Sequence, residues 1–184
     1  PQLVRGFDQG RLDGWRRAHP GFRSFAVLRH PLHRAHDAFL RKVLTGEFKE
    51  VREHMARLFG VTLQGSDPLP PEAHRAAFKA YLRFCDAAVS GQTRMQPWPM
   101  WATQAANLEG YAQVILPDQI LREDRLAEDL DQLARRMGHV NPPAWRPEAT
   151  PGLGLATVLD DEIIALSRKA YHRDHDQFGF VDLP

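Results

Sequence analysis

One stretch of this sequence, FAVLRHPLHRAHDAFLRK at positions 25–42, joins an apolar run to a helical pattern through Arg29. The apolar residues of Phe22–Leu28 predict a short buried strand. From Leu32 the apolar residues recur at helical spacing until Gly46. A buried strand that passes directly into a helix is typical of an open α/β sheet. We therefore expect an α/β fold that is rich in helices and contains a small parallel sheet.

The rest of the chain predicts more helices and a second strand. With 184 residues, of which 43% are hydrophobic, the sequence is large enough for a single domain over residues 1–184 with its own core. Residues 1–21 predict a loop or a short helix. Helices are predicted over Phe48–Phe59, Pro71–Val89, Trp101–Tyr111 and Leu126–Gly138, and from Asp160 to just before Phe178. A second strand, broken near Pro117, is predicted over Val114–Leu121.

The composition excludes several classes of protein. The formal net charge is only +1, so a nucleic-acid binder that depends on overall charge is not expected, and an anion site must be a local cluster of arginines. The single cysteine, Cys85, excludes an internal disulfide framework and a cysteine-rich zinc site. No apolar run approaches the roughly 20 residues of a transmembrane helix, and no signal peptide opens the chain. A cytoplasmic protein without a transmembrane segment is expected.

The position of Arg29 predicts an anion pocket. A strand that delivers an arginine to the start of a helix places the guanidinium beside free backbone N–H groups and the positive end of the helix dipole. The guanidinium itself binds phosphate or carboxylate oxygens through two parallel N–H groups. The alternative is that Arg29 forms an ion pair with a carboxylate of this chain.

Two groups of histidines repeat a spacing of three residues: His30, His33 and His36, and His172 and His175. Helical residues three apart share a face, and such a pair is able to bind a metal ion. The first group lies among several arginines, whose positive charge disfavours a divalent cation. We therefore expect no metal site, and assign these histidines to the surface or to structural hydrogen bonds.

The stretch at positions 25–42 resembles the second nucleotide-binding motif of sulfotransferases, which reads approximately hydrophobic–Val–Arg–(Asp/His/Asn)–Pro–x–x–Arg–x–x–Ser–x–Tyr. Val27 falls one place early. The residues that fall on the motif are Arg29, His30, Pro31, Arg34 and Phe39.

Three later segments resemble the carbohydrate-type branch of that family, in the order expected there. MWATQ at 100–104 resembles its His-Trp-x-Pro-Gln element. QILREDRLAEDLDQLARRMG at 119–138 resembles the strand–loop–helix that follows, with Glu123 or Asp124 at the acidic position of the loop. KAYHRDHDQFGF at 169–180 resembles its closing Tyr-x-x-Asp-x-x-x-Phe-Gly-Tyr signature. The resemblance thus spans about residues 22–180.

The resemblance implies a P-loop-type sulfotransferase fold and a sulfuryl donor, 3′-phosphoadenosine 5′-phosphosulfate (PAPS), with no metal. The acceptor would be a hydroxyl of a glycan or glycolipid. Arg29 would bind the 3′-phosphate of the donor, Asp37 would lie beside it, and Arg34 would support the pocket. The other predicted contacts are Arg122 at the same opening, and Trp98 and Trp101 as an apolar wall for the acceptor, with core packing as the alternative for both tryptophans. No catalytic base is identified; the nearest candidate is His30.

Two residues depart from the family pattern. Asp37 stands where the family has serine. A carboxylate 4 Å from a phosphate costs on the order of 4 kcal/mol at an effective dielectric constant near 20, unless Arg41 or Arg34 pairs with it. Met100 stands where the family has histidine, so any contribution of that histidine to acceptor binding or proton transfer is lost.

The donor's phosphosulfate end requires a loop of the type Pro-Lys-(Thr/Ser)-Gly-(Thr/Ser)-Ser, and this sequence contains none. The chain opens at Pro1 rather than methionine, so a processed form or a fragment is expected, with a fold that is incomplete at its N-terminus. An enzyme is expected only if the loop lies upstream of Pro1. The alternative is a diverged, non-catalytic binding or interaction module that kept the sulfotransferase fold. A third reading is an unrelated helical protein.

Overall fold

A computed structural model describes residues 8–65, 68–141, 144–146 and 152–183. The described elements are α1 (Gln9–Ala18), β1 (Phe25–Leu28), α2 (Pro31–Ala38), a π-helical turn (Phe39–Val43), α3 (Lys49–Phe59), α4 (Pro71–Val89), α5 (Gln104–Ala112), β2 (Gln119–Arg122), a 3₁₀ turn (Glu123–Arg125), α6 (Leu126–Arg136), α7 (Leu155–Val158), α8 (Asp161–Ala170) and α9 (His172–Phe178). Helices dominate, as the sequence predicts. No helix in the described ranges has the length and apolar character needed to cross a bilayer.

The two strands form a parallel pair, which confirms the prediction of an α/β class with a small parallel sheet. Phe25 pairs with Gln119, and Leu28 pairs with Arg122. Because the strands are parallel, both carboxyl ends lie at the same edge of the sheet. The residues that follow the strands, Arg29 after β1 and the 3₁₀ turn after β2, therefore lie side by side.

The core is organised around α4, which packs against α8, α3 and α7. Pro71 begins this helix, where a missing N–H costs nothing. Its fully buried side chains include Phe78, Tyr81, Leu82, Phe84 and Cys85. A second, smaller cluster joins β2 to α6 through Leu121, Leu126 and Leu133. The core around α4 includes residues of α2 and so holds this helix in place, while the smaller cluster holds β2 in place.

Both strands are shorter than predicted, and hydrogen bonds at their first residues explain why. The hydroxyl and backbone N–H of Ser24 each donate to Asp118 Oδ2 at 2.8 Å, so a side-chain contact replaces the start of the ladder. Pro117 has no backbone N–H to donate and precedes β2, which begins only at Gln119. The prediction of a strand from Val114 was therefore too long.

Three helices also differ from their predicted bounds. The first helical segment passes from α2 into a π-helical turn, in which Leu44 N–H donates to Phe39 O at 2.9 Å. Helix α5 begins at Gln104 rather than at Trp101, because the side chain of Thr103 caps it. The single helix predicted after Asp160 is two helices, which meet at Tyr171.

Candidate functional site

A cleft of about 1160 Å³ opens at the carboxyl ends of β1 and β2. This is the edge of a parallel sheet at which α/β proteins bind ligands. Its charged lining residues are four arginines and four carboxylates, namely Arg29, Arg41, Arg122 and Arg146, and Asp37, Glu123, Asp124 and Asp182. The charges of this lining balance. Any anion that entered this cleft would compete with carboxylates that already pair with the guanidinium groups of Arg29 and Arg41.

Arg29 lies in the cleft and is held by two carboxylates. Its Nε lies 2.6 Å from Glu123 Oε2, and its Nη1 lies 3.3 Å from Asp37 Oδ2. Nε forms no well-aligned hydrogen bond, so its contact with Glu123 is one of charge. From the sequence, an anion pocket and an ion pair were alternatives for Arg29. In the structure Arg29 lines a cleft and also forms ion pairs.

Asp37 and Arg41 lie on one side of Arg29. The Nε of Arg41 donates to Asp37 Oδ1 at 2.8 Å, one helical turn away, which is one of the two pairings expected for Asp37. Asp37 therefore contacts two arginines. Its negative charge faces the cleft but is shared with Arg29 and Arg41, which reduces the repulsion that it would exert on a bound phosphate.

Arg122, the last residue of β2, also lines the cleft. Its Nη1 donates to Phe178 O at 3.0 Å, and its guanidinium lies 4.3 Å from the centre of the Phe180 ring. Its Nε donates to Asp124 Oδ1 at 3.2 Å. These contacts fix the C-terminal signature segment against the end of β2.

Gln104 and Asp174 fix the backbone of Arg29. Gln104 Oε1 accepts a hydrogen bond from Arg29 N–H at 2.9 Å, and Gln104 Nε2 donates to Arg29 O at 2.8 Å. The carboxylate of Asp174 is fully buried and accepts from the backbone N–H groups of Gln104 and Ala105, each at 2.9 Å. Both side chains lie in motif segments, but no role was predicted for either of them.

Arg34 does not line the cleft. Its Nη1 donates to Pro99 O at 3.0 Å, and its Nη2 donates to Ala102 O. The guanidinium lies 3.9 Å from Asp174 Oδ2 and 5.4 Å from the centre of the Tyr171 ring. In this structure Arg34 holds the loop that precedes α5 by hydrogen bonds to its carbonyl groups, and its positive charge lies near the buried negative charge of Asp174.

The two tryptophans differ in exposure, and neither lines the cleft. Trp101 is 1% exposed and packs edge-to-face against Phe48 and Phe84. It belongs to the core, where an acceptor has no access. Trp98 is 57% exposed and packs against Trp101 and Phe48. Trp98 is therefore the only one of the two that offers a ring surface to solvent.

His30 lines the cleft, but its ring nitrogens already have partners. Nδ1 accepts from Leu32 N–H at 3.2 Å, so Nε2 carries the proton that is donated to Val181 O at 2.8 Å. Burial lowers the pKa of His30. This ring therefore caps α2 and anchors the C-terminal segment, and it takes up a proton from an acceptor only if its Leu32 hydrogen bond breaks. Across the described ranges, no group of three or more His, Cys, Asp or Glu side chains is arranged to hold a metal ion.

The third histidine of the first group, His36, forms a pair with a residue that the sequence did not single out. His36 Nε2 lies 3.0 Å from His74 Nε2, and both side chains are buried between α2 and α4. One ring must donate and the other must accept, so at least one nitrogen of the contact is unprotonated. Burial and the neighbouring His74 lower the pKa of His36 to about 4.

Comparisons of this chain with protein-family models, with curated proteins and with solved structures found no match. The resemblance to sulfotransferases therefore depends on the quoted residues and on how they are arranged in space. That arrangement has three parts: Arg29 is held at the cleft by the Gln104 side chain, Gln104 is held by Asp174, and Arg122 is held by the segment that follows Asp174.

Proposed function

We propose that this chain is a sulfotransferase-like protein with a P-loop-type fold, whose cleft binds the 3′-phosphate of PAPS through Arg29. The observation that supports the proposal is that all four segments of the resemblance contact one another around this arginine. These segments lie far apart in the sequence, and each carries only a modest signal alone. An accidental set of matches would have no reason to meet around one residue.

The chemistry proposed for this site is sulfuryl transfer to a hydroxyl of a glycan or glycolipid. The acceptor oxygen forms a bond to sulfur as the bond from sulfur to the donor's phosphate oxygen breaks, and the hydroxyl proton passes to a base. Positioning and cationic stabilisation of the phosphate oxygen supply most of the rate enhancement in such transfers. Arg29, which binds the 3′-phosphate in this proposal, contributes to positioning the donor, and Arg122 is a further cation of the cleft lining.

A second candidate function is a non-catalytic module that kept this architecture. One observation favours it: Glu123 and Asp37 occupy the guanidinium of Arg29, where a donor phosphate would bind. The engaged nitrogens of His30 point the same way, because this candidate base accepts a proton only after a rearrangement. Nucleotide binding separates the two functions.

Titration calorimetry with adenosine 3′,5′-bisphosphate is the first test. We expect micromolar binding, and replacement of Arg29 by alanine is expected to weaken it by at least tenfold, because charge-assisted hydrogen bonds to phosphate contribute about 1.5–3 kcal/mol. Arg23→Ala is the matched control. It removes an exposed arginine at the other end of the same strand and should bind the nucleotide like the parent chain. An absence of heat at millimolar nucleotide would favour the non-catalytic module.

Removing the competing carboxylate should have the opposite effect. Glu123→Gln is expected to tighten nucleotide binding by about tenfold, because the guanidinium of Arg29 no longer has to exchange a charged partner for the phosphate. Asp37→Ser, which restores the family's residue, is expected to act in the same direction.

The control for these two variants is Asp131→Asn on α6, which removes a carboxylate paired with Arg135 and outside the cleft. Calorimetry should show no change in affinity for this variant beyond twofold. If Glu123→Gln and Asp37→Ser also bind like the parent chain, the carboxylates do not compete with the ligand and the proposed position of the phosphate is wrong.

A further inference from the structure

His33 lies in the cleft beside the guanidinium of Arg29. His33, Asp37 and Arg41 follow one another at intervals of four residues and all line the cleft, as residues on one face of a helix do. Arg29 precedes α2, and its Nη1 reaches Asp37 Oδ2 at 3.3 Å. The side chain of Arg29 therefore extends along this face of α2, on which His33 lies one turn before Asp37.

The ring of His33 is not engaged by the protein. The two arginines on this side of the cleft pair with Asp37 and Glu123. Across the described residues, His33 has no hydrogen bond or ion pair, and its ring contact is edge-to-face with His30 at 5.7 Å between the ring centres. A ligand in the cleft is thus able to bond the imidazole of His33 without breaking an existing bond.

The groups around His33 keep this ring neutral in the free protein. Burial, followed by the positive charge of Arg29, lowers the pKa of His33 from its usual value of 6.5. Its other neighbours on α2 are His30, His36, Asp37 and Arg41. The charged residues that line the cleft from other segments are Arg122, Glu123, Asp124, Arg146 and Asp182.

We propose that His33 is a second ligand of the donor's 3′-phosphate, beside Arg29, and that it takes up a proton when this phosphate binds. The inference rests on the proposed function. A phosphomonoester has a second pKa of about 6, so it is largely dianionic at pH 7. An opposite charge within about 4–6 Å favours the protonated form of an imidazole. The added positive charge also offsets the repulsion that Asp37 and Glu123 exert on the phosphate.

Calorimetry in buffers of different ionisation enthalpy counts the protons that are exchanged on binding. At pH 7 we expect the parent chain to take up about one proton for each adenosine 3′,5′-bisphosphate bound. Adenosine 5′-phosphate has no 3′-phosphate and should cause no uptake. Binding of the bisphosphate without proton uptake would overturn the inference, as would equal uptake with both nucleotides.

The variant His33→Gln assigns the proton to this residue. A glutamine amide donates a hydrogen bond to phosphate, as a neutral imidazole does, but it does not titrate. We expect the variant to lose the proton uptake and to bind the bisphosphate at least tenfold more weakly than the parent at pH 6.5, because a charge-assisted hydrogen bond is lost. At pH 9 the two affinities should agree within about threefold. His172→Gln, which removes an exposed histidine outside the cleft, should match the parent at each pH.

The failure of this inference is distinguishable from the failure of the proposed function. Nucleotide binding with the same proton uptake in His33→Gln and the parent would overturn the role of His33 alone. An absence of nucleotide binding by the parent would overturn both. NMR titration of the imidazole signals gives a direct measurement: the titration midpoint of His33 should lie below pH 6.5 in the free chain and rise when the bisphosphate is bound. An unchanged midpoint would contradict the inference.

Discussion

Replacing Asp174 by asparagine is expected to lower the free energy of unfolding by about 3–5 kcal/mol, the usual loss when one partner of a buried charge pair is removed. The carboxylate is 0% exposed and accepts from Gln104 N–H and Ala105 N–H at 2.9 Å each. An asparagine amide has the same shape, but its NH₂ group has to face one of these N–H donors. The charge of Arg34, 3.9 Å away, also loses its partner.

Urea unfolding followed by circular dichroism measures this loss. The matched control is Asp176→Asn in the same helix, α9, where the side chain is exposed and the change should stay within about 0.5 kcal/mol. A loss below about 1 kcal/mol for Asp174→Asn would show that the N-terminus of α5 does not depend on this carboxylate. It would also remove the physical reason for the aspartate in the C-terminal signature segment.

The contribution of Asp174 to the stability of the fold is linked to the geometry of the cleft. Asp174 fixes the first residues of α5, α5 carries Gln104, and Gln104 fixes both backbone groups of Arg29. The guanidinium that faces the cleft is thus held by its backbone from one side and by carboxylates from the other. A loss of nucleotide affinity in Asp174→Asn at temperatures where the chain remains folded would follow from this link.

The helices were the most predictable part of the fold, because their signals are local. Helix α4 begins at Pro71 and ends at Val89, as its proline and its spacing of apolar residues predict. The strands were predicted less well. Each is only four residues long, and β1 begins only after Ser24, whose backbone N–H donates to the distant Asp118. No local pattern contains that information.

The site, like the fold, was predictable where its signals are local and not where it depends on contacts between distant residues. The position of Arg29 at a strand end is a local signal, and the structure places this residue in the cleft. Its partner Glu123 and its backbone support Gln104 come from other elements, so only the fold determines these contacts. The direction of Arg34 also depends on packing, since the loop that accepts its hydrogen bonds lies far along the chain. The roles of Gln104 and Asp174 had a sequence signal in their motif positions, but only coordinates reveal what they bind.

Acid is expected to destabilise this protein through the pair of His36 and His74. The pKa of His36 is lowered from 6.5 to about 4, first by burial and then by His74 and the other nearby positive groups. The unfolded chain therefore binds a proton at a higher pH than the folded chain does. The stability contributed by neutral His36 is complete above pH 6.5, falls as the pH drops through that value, and is lost below pH 4. The loss is about 3 kcal/mol, from about 1.36 kcal/mol per pH unit.

Unfolding free energies of the parent chain and of His36→Gln, measured from pH 7.5 to pH 4, isolate this contribution. A glutamine amide is able to donate to His74 Nε2 but does not titrate, so the variant should lose about 3 kcal/mol less than the parent over this range. Carboxylates that protonate near pH 4 do so in both chains and cancel in the difference. His172→Gln removes an exposed histidine and should follow the parent curve. Parallel curves for His36→Gln and the parent would mean that His36 takes up its proton in the folded chain without cost, and the buried neutral pair between α2 and α4 would then be the wrong description of this contact.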